Sequence, residues 1–473
     1  MQYISTRGTA PALPFDDVLL TGLARDGGLY VPEIWPRFTA DEMHGMADLS
    51  YPDLAARIIA PFIGETIAPD ECAALVADAY ADFTHDPVAP LRKLGENEWL
   101  LELFHGPTLA FKDYALQLVG RLFDDVLARR GERITIVGAT SGDTGSAAIA
   151  ACRGSKAIDI FMLHPQGRVS EVQRRQMTTV ADANVFNIAI EGTFDDCQNI
   201  VKALFNDLAF RDEVHLSAVN SINWARIMAQ IVYYFWAGLK CGAPGREISF
   251  AVPTGIFGNV YAGYAARAMG LPVAQFIVGS NRNDILTRFF ESGVMEMRGV
   301  EASLSPSMDI QISSNFERLL FDLYGRDGAR VACLMEEFRL SGKFAVDGDV
   351  LAQARALFSG YSLDDEGTKA AIKALFGETG MVIDPHTAVG IMAGRARRKD
   401  VAVPLIAMAT AHPAKFPVAV EDALGVHDPC LDRLQDLFAL EEKSHALPND
   451  VGAVAAYIRA QAVLTSNGKQ GAP

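Results

Sequence analysis

Short apolar runs alternate with glycine-rich turns and helix-patterned stretches along most of this chain. Residues 134–137 form a β-branched run, followed by a turn of small residues and then by Ala147-Ala148-Ile149-Ala150-Ala151, which favours helix. This strand, loop and helix unit recurs. Residues 158–162 precede a polar helix from Ser170, residues 185–190 precede a helix from Thr193, and residues 214–219 read as a strand before a helix near Ile222. Residues 248–252, 272–278 and 404–409 predict three more buried strands. Such alternation predicts parallel sheets covered by helices, here two of them in an α/β fold. The first 95 residues differ: short helical patterns such as residues 53–60 run through Pro61, Pro69, Pro87 and Pro90, as expected of an N-terminal subdomain over residues 1–95. The expected layout continues with a large α/β domain over residues 96–130 and 241–473 and a smaller α/β domain over 131–240. The polar tail from Thr465 to Pro473 is expected to fray.

Composition narrows the partners. With 473 residues, 50% of them hydrophobic and 21% charged, the chain can bury a large core. Lys plus Arg number 42 and Asp plus Glu 58, a net charge of −16, which argues against nucleic acid and anionic membrane as partners. The six cysteines lie far apart with no CxxC pair, as in reduced thiols, and neither an apolar leader nor a membrane-length apolar stretch is evident. A cytoplasmic protein is expected. No HExxH or clustered ligand set suggests a metal.

In parallel sheets ligands bind beyond the carboxyl ends of strands, where loop amides and helix N-termini converge. Three loops qualify. Gly138-Ala139-Thr140-Ser141-Gly142-Asp143-Thr144-Gly145 offers amides and hydroxyls to an anion, yet is neither a Walker A loop nor GxGxxG. Pro253-Thr254-Gly255-Ile256-Phe257-Gly258-Asn259 follows an apolar strand and can hold a phosphate by main-chain amides alone. Thr410-Ala411-His412-Pro413 ends a strand with a hydroxyl. Upstream, Lys112 follows a small and apolar run from His105 to Phe111, where desolvation would make its amine nucleophilic toward a carbonyl; the bland alternative is a helix-start lysine whose stem covers apolar surface.

These motifs together, with Asn220-Ser221-Ile222-Asn223-Trp224-Ala225-Arg226, Thr410 to Phe416, and the N-terminal Tyr3-Ile4-Ser5-Thr6-Arg7-Gly8 and Asp26 to Pro32, resemble the threonine synthases in order and over nearly the whole chain. The resemblance is to the longer subgroup found in yeast and enterobacteria. It implies the tryptophan-synthase-β-like fold (fold type II) and pyridoxal 5′-phosphate held in the large domain. It further implies that Lys112 forms the internal Schiff base, that Gly255, Ile256, Phe257, Gly258 and Asn259 hold the cofactor phosphate, and that Thr410 hydrogen-bonds the pyridine nitrogen. Thr140, Ser141, Asp143 and Thr144 would meet the substrate, and Asn220, Ser221 and Arg226 its phosphate. Ile256 stands where the family usually has Asn, a swap that a backbone-acting loop tolerates. Asp143 stands where shorter relatives place an Asn near the cofactor's phenolic oxygen.

The implied reaction takes O-phospho-L-homoserine and water to L-threonine and phosphate, by a monomer or homodimer. Two rivals remain: a serine or threonine dehydratase of the same fold, whose substrate carries no phosphate, and a non-catalytic homologue that binds a phosphorylated metabolite. Histidines 105, 386 and 412 read as packing or capping residues.

Overall fold

The computed structural model describes residues 1–217, 221–425 and 432–467, and the chain divides into two compact units. The first comprises residues 1–19, 23–115 and 221–429, the second 20–22, 116–220 and 430–473.

The first unit is built on a six-stranded sheet in the order Phe358–Ser362, Val273–Ser280, Ile248–Pro253, Leu405–Ala409, Glu98–Glu102, Leu91–Gly95. Every neighbouring pair is parallel except the last, a hairpin. Its central strands are buried throughout, which is why they read as continuous apolar runs. Successive side chains point to opposite faces. Ala251 and Ile277 pack with Ile391 and Leu375 on one face, while Phe250 and Phe276 meet Tyr234 on the other. Aromatic rings crowd the helix backbone there: a Cβ on Gly263 would lie 2.6 Å from ring atoms of both Tyr234 and Phe276. The helices expected from Thr193 and near Ile222 form as Phe194–Asn206 and Trp224–Lys240; Asn223 caps the latter, accepting from the Ala225 N–H at 2.9 Å. The N-terminal residues form a small antiparallel sheet, with Gln2–Ser5 between Leu13–Pro14 and Tyr30–Pro32, and the helices Ala40–Met46, Tyr51–Ile63 and Pro69–Tyr80.

The second unit carries five parallel strands in the order His445–Pro448, Val185–Glu191, Ile158–Pro165, Ile134–Ala139, Leu216–Ser217. The strand expected over residues 214–219 is met only in part among the described residues. Val214 belongs instead to a helix, Leu208–Val214, that the Asp207 side chain starts by accepting from the Phe210 N–H at 3.1 Å, and residues 218 and 219 lie outside the described residues. Leu216 and Ser217 pair, opposite Thr135 and Ile136. Of the polar tail, residues 465–467 continue the helix Val451–Asn467, and the remainder lies outside the described residues.

Glu442 ties the C-terminal segment to the helix Glu171–Thr178. Its carboxylate accepts from Arg174 Nε and Nη2 at 2.8 and 2.9 Å and from the Thr178 hydroxyl at 2.7 Å. The Arg174 hydrogen bonds, opposed by burial, hold its pKa down at about 2. A depressed carboxylate stabilises the fold above the ordinary glutamate pKa and loses that contribution as pH falls toward 2. We expect Glu442→Gln to cost about 1–2 kcal/mol at pH 6 and less than half of that at pH 3, discounted because the pair is partly exposed. Urea denaturation at the two pH values would show it, and an equal cost at both would refute it.

Candidate active site

Three adjacent parallel strands, Ile248–Pro253, Leu405–Ala409 and Glu98–Glu102, direct their carboxyl ends the same way. The chain leaves them through residues 254–257, through Thr410, and through the segment that ends at Lys112. The last two are joined by main-chain bonds: the Phe111 N–H donates to the Thr410 carbonyl at 2.8 Å and the His412 N–H to the Leu109 carbonyl at 3.0 Å. Residues nearly 300 positions apart thus sit one bridge from each other. Lys112 opens the helix Lys112–Arg130, is 7% exposed, and holds its Nζ 5.6 Å from the Phe111 ring centroid. The Thr410 side chain is buried, and its hydroxyl bonds to no protein group among the described residues.

The turn into Lys112 is shaped by residues that sequence reasoning gave no role. The fully buried Asp113 carboxylate accepts from the Thr108 N–H at 2.8 Å and its hydroxyl at 2.6 Å. Lys415 Nζ donates to the Thr108 carbonyl at 2.7 Å. Leu109 takes φ +64°, and a Cβ on Gly106 would lie 2.5 Å from Asp113. Burial pushes the Asp113 carboxyl above the usual range, against the Thr108 bonds and the Lys415 charge. Asp113→Ala strands the Thr108 donors in the core, so a loss of about 2–4 kcal/mol in thermal or urea unfolding is expected; Asp113→Asn, which can still accept one bond, should lose less. Both residues lie inside the motifs that drew attention to Lys112, which was the available signal.

The second loop is a backbone cradle. Phe257 adopts φ +61°, a left-handed conformation that a non-glycine residue takes only when its surroundings impose it, and its fully buried ring packs edge-on against Phe316 at 5.0 Å. The turn leads into the helix Gly258–Ala268, which no side chain caps. The N–H groups of Gly255, Ile256, Gly258 and Asn259 bond to no protein acceptor among the described residues. Phe257 differs: its N–H donates to the Thr254 hydroxyl at 3.2 Å, so it shapes the loop instead of adding a fifth donor. Gly255 leaves no spare room, since a Cβ there would meet Ile310 at 3.1 Å. Asn259 Oδ1 accepts from Tyr233 and Tyr234 at 2.8 and 2.9 Å, while its buried Nδ2 has no partner.

The helix Trp224–Lys240 brings Arg226 into the same unit. Its side chain is 4% exposed, yet Nε and Nη1 find no hydrogen-bond partner among the described residues. Burial lowers its pKa to about 10, with Tyr233 acting in the opposite direction. A buried guanidinium with two unpartnered nitrogens is costly unless an anion meets it. Gln230 Nε2 donates to the Arg226 carbonyl at 2.9 Å, and the Tyr233 hydroxyl lies 3.0 Å from Gln230 Oε1, so the Arg226 backbone is linked to Asn259 over about two helix turns. Ser221 is half-buried, and its carbonyl accepts from Asn315 Nδ2 at 3.1 Å; the Asn315 N–H in turn reaches the Ile256 carbonyl at 3.1 Å. Asn315 therefore fixes one loop to the other, and no local pattern announced it. Asn220 lies outside the described residues.

Within the second unit, the loop after the strand Ile134–Ala139 forms as a strand-to-helix turn. The Thr140 hydroxyl, expected to face substrate, accepts from the N–H groups of Gly142 and Gly145 at 2.9 Å each and is thus committed as an acceptor within its own loop. Asp143 is buried and accepts from Gln173 Nε2 at 2.8 Å. Gly142 is required at φ +142°, where a Cβ would strike Gln173 at 2.5 Å. Ser141 is exposed and Thr144 half-buried, and both hydroxyls remain uncommitted to protein among the described residues.

This architecture places the chain among the pyridoxal-phosphate-dependent enzymes, and residues 85–337 match the family model of that description. Flanking it, residues 2–80 match the threonine synthase N-terminus and 387–458 the threonine synthase C-terminal model. The chain is 56% identical to the threonine synthase of Pseudomonas aeruginosa, over 100% of both chains. It superposes on the crystal structure of a PLP-bound threonine synthase from Brucella melitensis with a TM-score of 0.96 at 52% identity, covering 98% of this chain and 99% of that one. The yeast threonine synthase structure follows at 0.93 and 39%, with 98% and 99% covered. The chain belongs to the threonine synthase family, and is a lyase that uses pyridoxal phosphate. Its residues fit that cofactor: a buried lysine, four uncommitted loop amides beside the orphaned Asn259 amide, and a strand-end hydroxyl occur in one unit. Among the described residues no helix is long and apolar enough to cross a membrane, and no group of three or more His, Cys, Asp or Glu could hold a metal.

Proposed function

We propose that this chain converts O-phospho-L-homoserine and water to L-threonine and inorganic phosphate, in the cytoplasm, as a monomer or homodimer. Pyridoxal phosphate, when bound, supplies an aldehyde for the substrate amine and a ring that delocalises electrons released at the α-carbon. The chain does the rest. The amides of Gly255, Ile256, Gly258 and Asn259 hold the cofactor phosphate, as a helix start and adjoining turn do for an anion without a cationic side chain. The Thr410 hydroxyl meets the ring nitrogen; being neutral, it leaves that nitrogen less electron-withdrawing than a carboxylate partner would. Lys112 anchors the cofactor through Nζ and, once displaced by substrate, takes the α-proton on the same atom. Arg226, with Ser221 and Asn220 beside it in sequence, holds the substrate phosphate and stabilises its departure. Ser141 and Thr144 bind the substrate carboxylate through hydroxyl groups, and Thr140 and Asp143 keep their loop in shape.

The observation that carries this reading is the buried Arg226 guanidinium with two nitrogens unpartnered. A planar fork of permanent donors suits a phosphate ester, and a dehydratase acting on unphosphorylated serine or threonine has no use for it. The test is phosphate release from O-phospho-L-homoserine, followed alongside keto-acid formation from serine and threonine. Threonine and phosphate in equal amounts support the proposal. Keto acid from the unphosphorylated substrates alone would establish the dehydratase, and no turnover of either would favour a binding protein.

A further inference from the structure

A second feature of the first unit has no place in that chemistry. A cavity of about 410 Å³ is lined by Trp35, Arg37, Tyr264, Arg267, Asp322 and Arg326. It lies at the far end of the helix Gly258–Ala268, whose start is the cofactor loop: Arg267 stands nine residues on from Gly258, about 13 Å along the axis at 1.5 Å per residue. Its volume is in the range of small-molecule sites, roughly 300–1,000 Å³.

The charges around it are unbalanced. Three guanidiniums face one carboxylate, in a chain whose net charge is −16. Asp322 is already engaged, accepting from Arg326 Nε at 3.0 Å and from the Tyr261 hydroxyl at 3.1 Å. Arg326 is fixed by a bond to the Pro32 carbonyl at 3.0 Å, at the strained φ of +69°, with its Cζ 5.8 Å from the Trp35 ring centroid. Arg267 spends only Nε, on the Val273 carbonyl at 3.3 Å. Arg37 has no hydrogen bond or ion pair among the described residues. The exposed Arg37 and the exposed Arg267 thus keep terminal nitrogens uncommitted, and the buried Nη2 of Arg326 has no partner among the described residues, beside two half-buried aromatic rings, Trp35 and Tyr264.

We propose that this cavity binds a small organic anion with a planar ring, its phosphate or carboxylate held by Arg37 and Arg267 and its ring laid against Trp35 and Tyr264. Guanidinium forks and aromatic faces recognise that combination, and neither alone would select it. Occupancy is coupled to the cofactor loop. The helix Gly258–Ala268 joins the two directly, and the helix Phe316–Leu323 carries Asp322 near its end while Asn315, just before its start, bonds the Ile256 carbonyl. The Tyr261–Asp322 bond ties these helices together.

The test titrates the holoenzyme with 1-naphthyl phosphate, 1-naphthoate and inorganic phosphate, by calorimetry and tryptophan fluorescence. A naphthyl compound is expected to bind with a dissociation constant below about 1 mM, and at least tenfold more weakly to an Arg37→Ala/Arg267→Ala variant whose visible spectrum matches wild type. The stronger of the two naphthyl ligands identifies the anionic group. Binding of inorganic phosphate alone, binding that survives the double variant, or no binding at all overturns the site. Release of pyridoxal phosphate should change at least fivefold in the presence of the better ligand; an unchanged rate overturns the coupling.

Discussion

A Lys112→Ala variant is expected to fold and to lose roughly 10³-fold or more of its turnover, because one amine both anchors the cofactor and moves the α-proton. Lys112 is 7% exposed at a helix start, and alanine is the best helix former, so the helix Lys112–Arg130 should persist. Two readouts separate this loss from unfolding. Borohydride treatment of wild type should fix the cofactor on the peptide carrying Lys112 and fix none in the variant, while far-ultraviolet circular dichroism stays unchanged. Label on another lysine would remove Lys112 from its role whatever the activity.

Arg226 is expected to show activity and stability moving in opposite directions. Arg226→Met removes the donor set proposed for the substrate phosphate, and kcat/KM for O-phospho-L-homoserine should fall roughly 10²–10³-fold. The same change removes a buried charge with two unpartnered nitrogens and replaces it with an apolar side chain that can lie along the same path. The guanidinium pKa is lowered to about 10 chiefly by burial, so at neutral pH the folded state bears the full cost of keeping it charged. Arg226→Met should therefore raise the stability of the substrate-free protein by about 1–3 kcal/mol. Inorganic phosphate should raise the melting temperature of wild type and leave that of the variant unmoved. A destabilised variant, or one still protected by phosphate, would mean that Arg226 packs in the core and binds no anion.

The site shows where local pattern suffices. Glycines at 255 and 258 after an apolar strand were enough to mark a backbone cradle, because a tight turn and an uncapped helix start are properties of a few consecutive residues. Lys112 and Thr410 were visible only through the motifs around them; what unites them is the pairing of Phe111 with Thr410, a contact across nearly 300 residues. Side-chain commitments were less legible still. The hydroxyls of Thr140 and Thr410 look alike in sequence, yet the first accepts two amides of its own loop and the second bonds to no protein group among the described residues. Whether a hydroxyl oxygen is occupied or available depends on which neighbour folding brings to it.

By itself the sequence determined the repeated strand, loop and helix units, the class of parallel-sheet protein they build, and the loops able to carry chemistry. Those follow from periodicity and turn preference, which act over a handful of residues. The tertiary structure alone decided that Leu405–Ala409 lies between Ile248–Pro253 and Glu98–Glu102, and that His445–Pro448 closes one edge of the second sheet. It also placed Val214, expected in a strand, at the end of the helix Leu208–Val214, and left two guanidinium nitrogens of the buried Arg226 unpartnered among the described residues. Strand pairing and burial are set by which distant segments compete for the same edge or pocket, and no short window of sequence contains both competitors.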